Sequence, residues 1–272
     1  MPAQTVPILP ENCFNELVIG RHGPMLANRF DQYVGVSLRK YGEFSAGESE
    51  IFQKLVGQGT TVIEVGSNIG AHTVELSRLV GPAGRVLAFE PQRIVFQTLC
   101  ANLALNGCAN VYTYNEAVGE TAGEIKVPFL PPDNPANFGG LSLHDATHGE
   151  TVRLRALDEL ALDACHFLKL DLEGMELEAL HGGATMIARH RPLMYVENDR
   201  PARAEDVIRQ LLAWNYQLYW HTPRLFSEQN FAGDPENVFG EIVSINMLCI
   251  PAERNIVVHG LQQIVPASLL AR

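Results

Sequence analysis

The stretch TVIEVGSNIGAHTVELSRLVGPAGRVLAFE, residues 61–90, decides the fold. Thr61–Val65 is a short apolar, β-branched run, the pattern of a buried strand. A turn carrying Gly66 and Gly70 follows. Ala71–Val80 then has helical spacing until Gly81-Pro82 stops it, and Arg85–Glu90 is a second strand. The two glycines permit a tight turn and close approach of a ligand to the backbone. Free N–H groups at the start of the helix face the same space. The spacing is not the G-x-G-x-x-G of dinucleotide-binding turns, because Asn68 stands where the second glycine would be. Glu90 ends the second strand 20 residues after Gly70, where a carboxylate can accept both hydroxyl donors of a ribose.

The alternation continues on both sides. Residues 92–106 read as a helix, 110–115 as a strand, 166–171 as a strand and 174–188 as a helix. Strand 193–197, helix 203–213 and strands 217–220 and 244–250 complete the pattern. Residues 119–156 interrupt it with a Pro- and Gly-rich loop between strands near 124–128 and 151–156. Upstream, 1–20 read as an irregular arm, 25–38 as one or two short strands and 46–57 as a helix. Strands alternating with helices predict an α/β fold: a Rossmann-like, doubly wound, mostly parallel seven-stranded sheet with an N-terminal extension and inserted loops. The expected division is an arm over 1–45, a main domain over 46–252, and a tail over 253–272 packed on it or trailing.

Composition narrows the partners. The formal charge of −11, with no run of basic residues, argues against a protein built to grip nucleic acid phosphates. No apolar run reaches the ~20 residues of a membrane span. The first residues, MPAQTVPILPENCF, lack the basic and apolar regions of a signal peptide. Five scattered cysteines form no Cys-x-x-Cys pair, so a reduced, cytoplasmic protein is expected, with a homo-oligomer left open.

The turn Glu64-Val-Gly66-Ser67-Asn68-Ile-Gly70 resembles the first motif of S-adenosylmethionine methyltransferases. Further segments sharpen this to the FkbM-type methyltransferase family: NEAVG (115–119), FLKLDLEGMELEALHGG (167–183) and PLMYVEND (192–199), with YGEFSAGE (41–48), NFGGLSL (137–143) and SINMLCIP (244–251). The resemblance implies methyl transfer from S-adenosylmethionine to a hydroxyl of a sugar, glycan or secondary metabolite. It implies a cofactor site of Glu64, Gly66, Ser67, Asn68, Gly70, Thr73, Glu90 and Asp171, with Glu64 near the cofactor's ammonium, and the turn after the third strand puts Asn115, Glu116 and Ala117 along the adenine. Tyr41, Glu43, Ser45 and Glu48 are candidates for a lid. An NAD-dependent oxidoreductase shares the fold and the ribose carboxylate but not the glycine spacing. A non-catalytic S-adenosylmethionine-binding module is the other alternative.

Methyl transfer to an aliphatic hydroxyl needs alignment and a group to take the proton. Lys169 and Asp171 share one face of a strand, and with Glu173 they are the catalytic candidates. Asp171 is expected at the strand's carboxyl end beside the cofactor. Glu197-Asn198 closes the next strand, so Asp171, Glu197 and Asn198 are a candidate set of oxygen ligands for Mg²⁺. A metal-free site is the equal alternative. His144, His148 and His221 lie in loops that could bear a base, and Phe138, Tyr219 and Trp220 could wall a sugar.

Overall fold

The computed structural model describes residues 9–265 apart from 11 and 145. The chain opens with a hairpin, β1 (Asn15–Gly20) against β2 (Gly23–Asn28), followed by helices α1 (Val34–Tyr41) and α2 (Ala46–Leu55). The stretch 61–90 then gives β3 (Thr61–Val65), α3 (Ala71–Val80) and β4 (Arg85–Phe89). After them come α4 (Arg93–Leu105), β5 (Val111–Tyr114), and a small sheet of β6 (Ala117–Val118), β7 (Gly123–Val127) and β8 (Glu150–Arg155). The second half holds β9 (Phe167–Leu170), α5 (Glu176–Gly182), α6 (Ala184–His190), β10 (Leu193–Glu197) and α7 (Pro201–Ala213). It closes with β11 (Tyr216–His221), β12 (Asn246–Pro251) and β13 (Gln262–Ile264).

The main sheet has eight strands in the order β13-β11-β12-β10-β9-β3-β4-β5. Strands β10, β9, β3, β4 and β5 are mutually parallel, and β12 runs antiparallel to both β10 and β11. The eighth strand, one more than the sequence pattern supplies, is β13 from the tail, paired to β11. Strand alternation sends side chains to two apolar layers. Ile63, Val65, Leu168, Leu170, Met194 and Val196 meet α5, α6 and α7 through Leu180, Ile187 and Leu211. Val62, Phe167, Leu193 and Tyr195 meet α2 and α3 through Phe52, Leu76 and Val80.

Three elements differ from the sequence reading. The arm expected to be irregular over 1–20 contains β1. The region 25–38 is one strand followed by a helix, because Asp31 accepts the backbone N–H groups of Tyr33 and Gly35, each at 3.0 Å, and starts α1. The helix expected over 174–188 is split into α5 and α6. At the break, a side chain on Gly182 would lie 2.0 Å from the Gly119 carbonyl oxygen, and Asp158 accepts the N–H groups of Thr185 and Met186 to start α6.

The chain crosses outward from β3 through β4 to β5, then returns to pair β9 on the other flank of β3. That reversal is a topological switch point, where open α/β sheets bind ligands beyond the carboxyl ends of their strands. Among the described residues no helix is long and apolar enough to cross a membrane.

Candidate active site

A cavity of about 460 Å³ opens at the switch point between β3 and β9. The turn after β3 is held tightly. Gly66 has φ +82°, and a Cβ there would sit 1.9 Å from the Asp171 carbonyl oxygen, so only glycine lets the two strand ends close together. Asn68 also takes a left-handed conformation, φ +48°. Its N–H donates to Glu90 Oε2 at 3.0 Å, while the N–H of Gln92 donates to Glu90 Oε1 at 2.8 Å. Each carboxylate oxygen keeps a second lone pair for a ligand. Burial pushes the Glu90 carboxyl up to about 7, against those two backbone bonds.

On the wall towards α3, Glu64 is 1% exposed and accepts the Thr73 hydroxyl at 2.6 Å. Register places Glu64, Lys169 and Tyr195 in one row across β3, β9 and β10. Lys169 Nζ lies 2.7 Å from Asp171 Oδ2. Burial opposes the ammonium charge, but the carboxylates of Asp171, Glu64 and Glu48 outweigh it and hold the lysine protonated. Glu64 is itself shifted upward by burial, which Lys169 opposes.

Beyond Asp171 the cavity meets a cluster of acids. Carboxylate oxygens of Asp171, Glu173 and Glu197 lie within 4.8 Å of one another. Glu173 sits at φ +54° and is pushed up to about 8 by burial and then by Asp171, although it pairs with Arg200. Glu197 is held well above its ordinary value by burial and its acidic neighbours, and its Oε2 has no hydrogen-bond partner. Glu176 accepts the N–H groups of Leu172 and Gly174 at 2.9 and 3.2 Å, which fixes the turn carrying Asp171 and Glu173.

The expected site residues sort by position. Glu64, Gly66, Ser67, Asn68, Glu90, Glu116, Ala117, Lys169, Asp171, Glu173 and Glu197 all line the one cavity. Gly70 and Thr73 stand behind it. A side chain at Gly70 would meet Leu99 at 2.7 Å, so that glycine lets α4 pack on the turn, and Thr73 orients Glu64. Glu116 is engaged by Arg155, whose Nη2 lies 3.0 Å from its Oε1. Asn198 is a correction. It is buried with its amide turned to the Ala204 carbonyl oxygen, 3.3 Å, because its N–H is tied to Ile245 in the chain entering β12. The oxygen set the fold brings together is therefore Asp171, Glu173 and Glu197. Its chemistry suits Mg²⁺, but Arg200 already stands among these acids, paired with Glu173 and 3.3 Å from Asp199.

Of the lid candidates only Glu48 reaches the cavity. Tyr41 is buried, donates its hydroxyl to the Glu236 carbonyl at 2.8 Å, and so braces the loop before β12. Glu43 faces Arg21. His221 bonds the Tyr195 hydroxyl at 2.7 Å, His144 lies 3.6 Å from Glu178, and neither lines the cavity. Sequence reasoning passed over His72. It is 6% exposed, lines the cavity from the first turn of α3, and packs against Phe44 and Phe52 at ring separations of 5.7 and 5.1 Å. Its Nε2 lies 3.5 Å from Glu48 Oε2 but makes no hydrogen bond. Burial opposes ionisation of Glu48, yet His72 and Lys169 hold it down at about 2. Nothing in the sequence set His72 apart from the neighbouring polar residues Thr73 and Glu75.

A glycine turn at the switch point, a buried carboxylate at the end of the next strand and a lysine–aspartate pair beyond them sit on a class I, Rossmann-like architecture. More narrowly, the chain belongs to the FkbM methyltransferase family, whose domain model matches residues 64–218. Methyltransferase sdnD of Sordaria araneosa is 26% identical, a match covering 44% of this chain and 59% of that protein. The crystal structure of methyltransferase FkbM from Methylobacillus flagellatus KT is 19% identical with a TM-score of 0.48, covering 74% of this chain and 50% of that one. The O-methyltransferase TomG from Streptomyces achromogenes, solved in complex with SAM, is 12% identical with a TM-score of 0.46, over 76% of this chain and 79% of that one. The match thus spans between half and three fifths of the length of the first two.

Proposed function

We propose that the protein transfers a methyl group from S-adenosylmethionine to a hydroxyl of a small-molecule or glycan acceptor. The observation that carries this reading is the cradle at 66–70 coupled to Glu90. The missing Cβ at Gly66 lets the ends of β3 and β9 close together at the cavity floor, and the buried Glu90 carboxylate lies beside that turn with one lone pair spare on each oxygen. These features fit a nucleoside whose ribose hydroxyls donate to Glu90, with Ala117 and Glu116 bordering the base and Glu64 and Glu48 available to an ammonium.

When bound, the cofactor supplies a sulfonium-activated methyl and a neutral leaving group. The chain's own work is to position the acceptor oxygen and hold its proton. Asp171 is the group we assign to that proton, with Lys169 fixing its carboxylate. Glu173 and Glu197 are shifted towards the protonated state and can donate hydrogen bonds to an acceptor. Calorimetric titration with S-adenosylhomocysteine tests the cofactor half: no heat at millimolar ligand removes the reading. For the chemical half, Asp171→Asn is expected to keep that affinity and lower kcat by about 10²–10⁴-fold. Full turnover in the variant excludes Asp171.

A second reading puts Mg²⁺ among Asp171, Glu173 and Glu197, favoured by the orphaned Glu197 Oε2. There the ion would neutralise the acids and bind the acceptor oxygen. Activity lost to a chelator and restored by Mg²⁺ supports it, and activity unmoved by the chelator rejects it.

A further inference from the structure

The cavity is small for two ligands. Its ~460 Å³ lies in the lower part of the ~300–1,000 Å³ that small-molecule sites span. A nucleoside joined to an amino acid would fill much of it, so the space beside Asp171 would take the reacting end of an acceptor before its body.

The body must lie on the rim, and the rim beside β12 is mostly apolar, with Ser244 the polar residue among Ile242, Val243 and Ile245. Ile242, Val243 and Ile245 border the cavity and are 42%, 39% and 36% exposed. Leu225, 8% exposed, lies among them in the lining. These side chains are displayed by a braced loop. The N–H of Leu225 donates to Ile242 O at 3.1 Å, the N–H of Ser244 to Pro223 O at 3.0 Å, and the N–H of Asn198 to Ile245 O at 2.8 Å. Further out, Lys40 pairs with Asp234 and Glu236, and the Tyr41 hydroxyl accepts the Val238 N–H at 2.9 Å. Such bracing holds three partly exposed apolar side chains together at a cavity mouth, where isolated exposed apolar residues would need no explanation. The inner end is of opposite character, with Asp171, Glu173 and Glu197 beside Arg200.

We propose that the methyl acceptor is an amphiphile: a hydroxyl-bearing polar end enters beside Asp171, and an apolar body of several carbons lies across Ile242, Val243 and Ile245. This rests on the methyl-transfer reading and narrows its acceptor. A bare hydrophilic sugar would leave the rim uncovered, and a wholly apolar molecule would leave the buried Glu197 Oε2 without a hydrogen-bond partner.

The test compares methyl β-D-glucoside with octyl β-D-glucoside, the latter below its micelle concentration, on protein saturated with S-adenosylhomocysteine. Calorimetry and ligand-observed NMR give both affinities. The octyl compound is expected to bind at least about tenfold more tightly, in line with burial of a few methylene groups. The triple variant Ile242→Ser, Val243→Ser, Ile245→Ser is expected to abolish that preference while binding S-adenosylhomocysteine like the parent, which also shows that it folds. Equal affinity of the two glucosides for the parent overturns the proposal, as does a preference that survives in the variant. Sedimentation supplies a further arm: a parent dimer that the variant converts to monomer would assign the rim to a second copy of the chain. Failure of S-adenosylhomocysteine to bind the parent is a separate result and removes the underlying reading as well.

Discussion

Glu90 is asked to be buried and to be charged, and the two demands conflict. Its carboxyl sits near 7 rather than the ordinary 4.5 because burial outweighs two backbone hydrogen bonds. Between those values the folded protein holds a proton that the unfolded chain has released, so this group's stabilisation is lost as pH rises from about 4.5 through 7. Hydroxyl donors of a ribose favour the ionised form. Affinity for S-adenosylhomocysteine should therefore climb between pH 6 and 7, by at most about tenfold per unit for one linked proton, and level off above. Calorimetry across that range checks it. Glu90→Gln should bind weakly with no such rise, and a level profile in the parent would remove Glu90 from the ribose. Glu90 was legible because its place at the end of the second strand follows from the strand pattern alone. His72 and Glu48 were not paired in the reading, because 24 positions separate them and only the packing of α2 on α3 joins them. Asn198 was misplaced for a similar reason. Strand alternation predicts facing within β10, but Asn198 lies one residue past its end, where the bond to Ile245 sets the direction.

At the scale of elements, β3, α3 and β10 match the sequence reading to the residue, because each is bounded by glycine or proline and carries one clear period. The break between α5 and α6 was invisible. Residues 174–188 have a continuous helical spacing, and the interruption comes from tertiary contact with the carbonyls of Gly119 and Glu120. Those carbonyls follow β6, and Ala117 of β6 lines the cavity. The contact therefore links a helix junction to the base end of the site. A Cβ at Gly182 would stand 2.0 Å from one carbonyl oxygen and 3.0 Å from the other, both backbone. Gly182→Ala is expected to destabilise the fold by about 1–3 kcal/mol through overpacking and to weaken S-adenosylhomocysteine binding by displacing β6. Gly57→Ala is the control, since a side chain there meets nothing within 4 Å, and should stay within about 0.5 kcal/mol of the parent. Denaturant melts of both variants decide it. If Gly182→Ala melts like the control, the junction does not position the site.

Across the whole molecule, the cavity is assembled from segments far apart in sequence. The turn after β3, the end of β4, the β5–β6 turn, the acids after β9 and β10, and the loop before β12 all border it. A ligand there ties the two halves of the doubly wound sheet across the switch point, so binding should report as global rather than local stabilisation. At a concentration one hundred times its Kd, S-adenosylhomocysteine should add about 2.7 kcal/mol, which for a chain of this size raises Tm by about 5–10 °C. NADH separates the rival oxidoreductase reading in the same experiment. A pyrophosphate needs the backbone bare at the turn's third position, where this chain carries Asn68 with its N–H committed to Glu90. NADH at the same concentration should leave Tm unmoved. A shift with NADH and none with S-adenosylhomocysteine would mean that the switch point selects a dinucleotide after all, and the assignment of Glu90 and Gly66 to an adenosyl amino acid would fall with it.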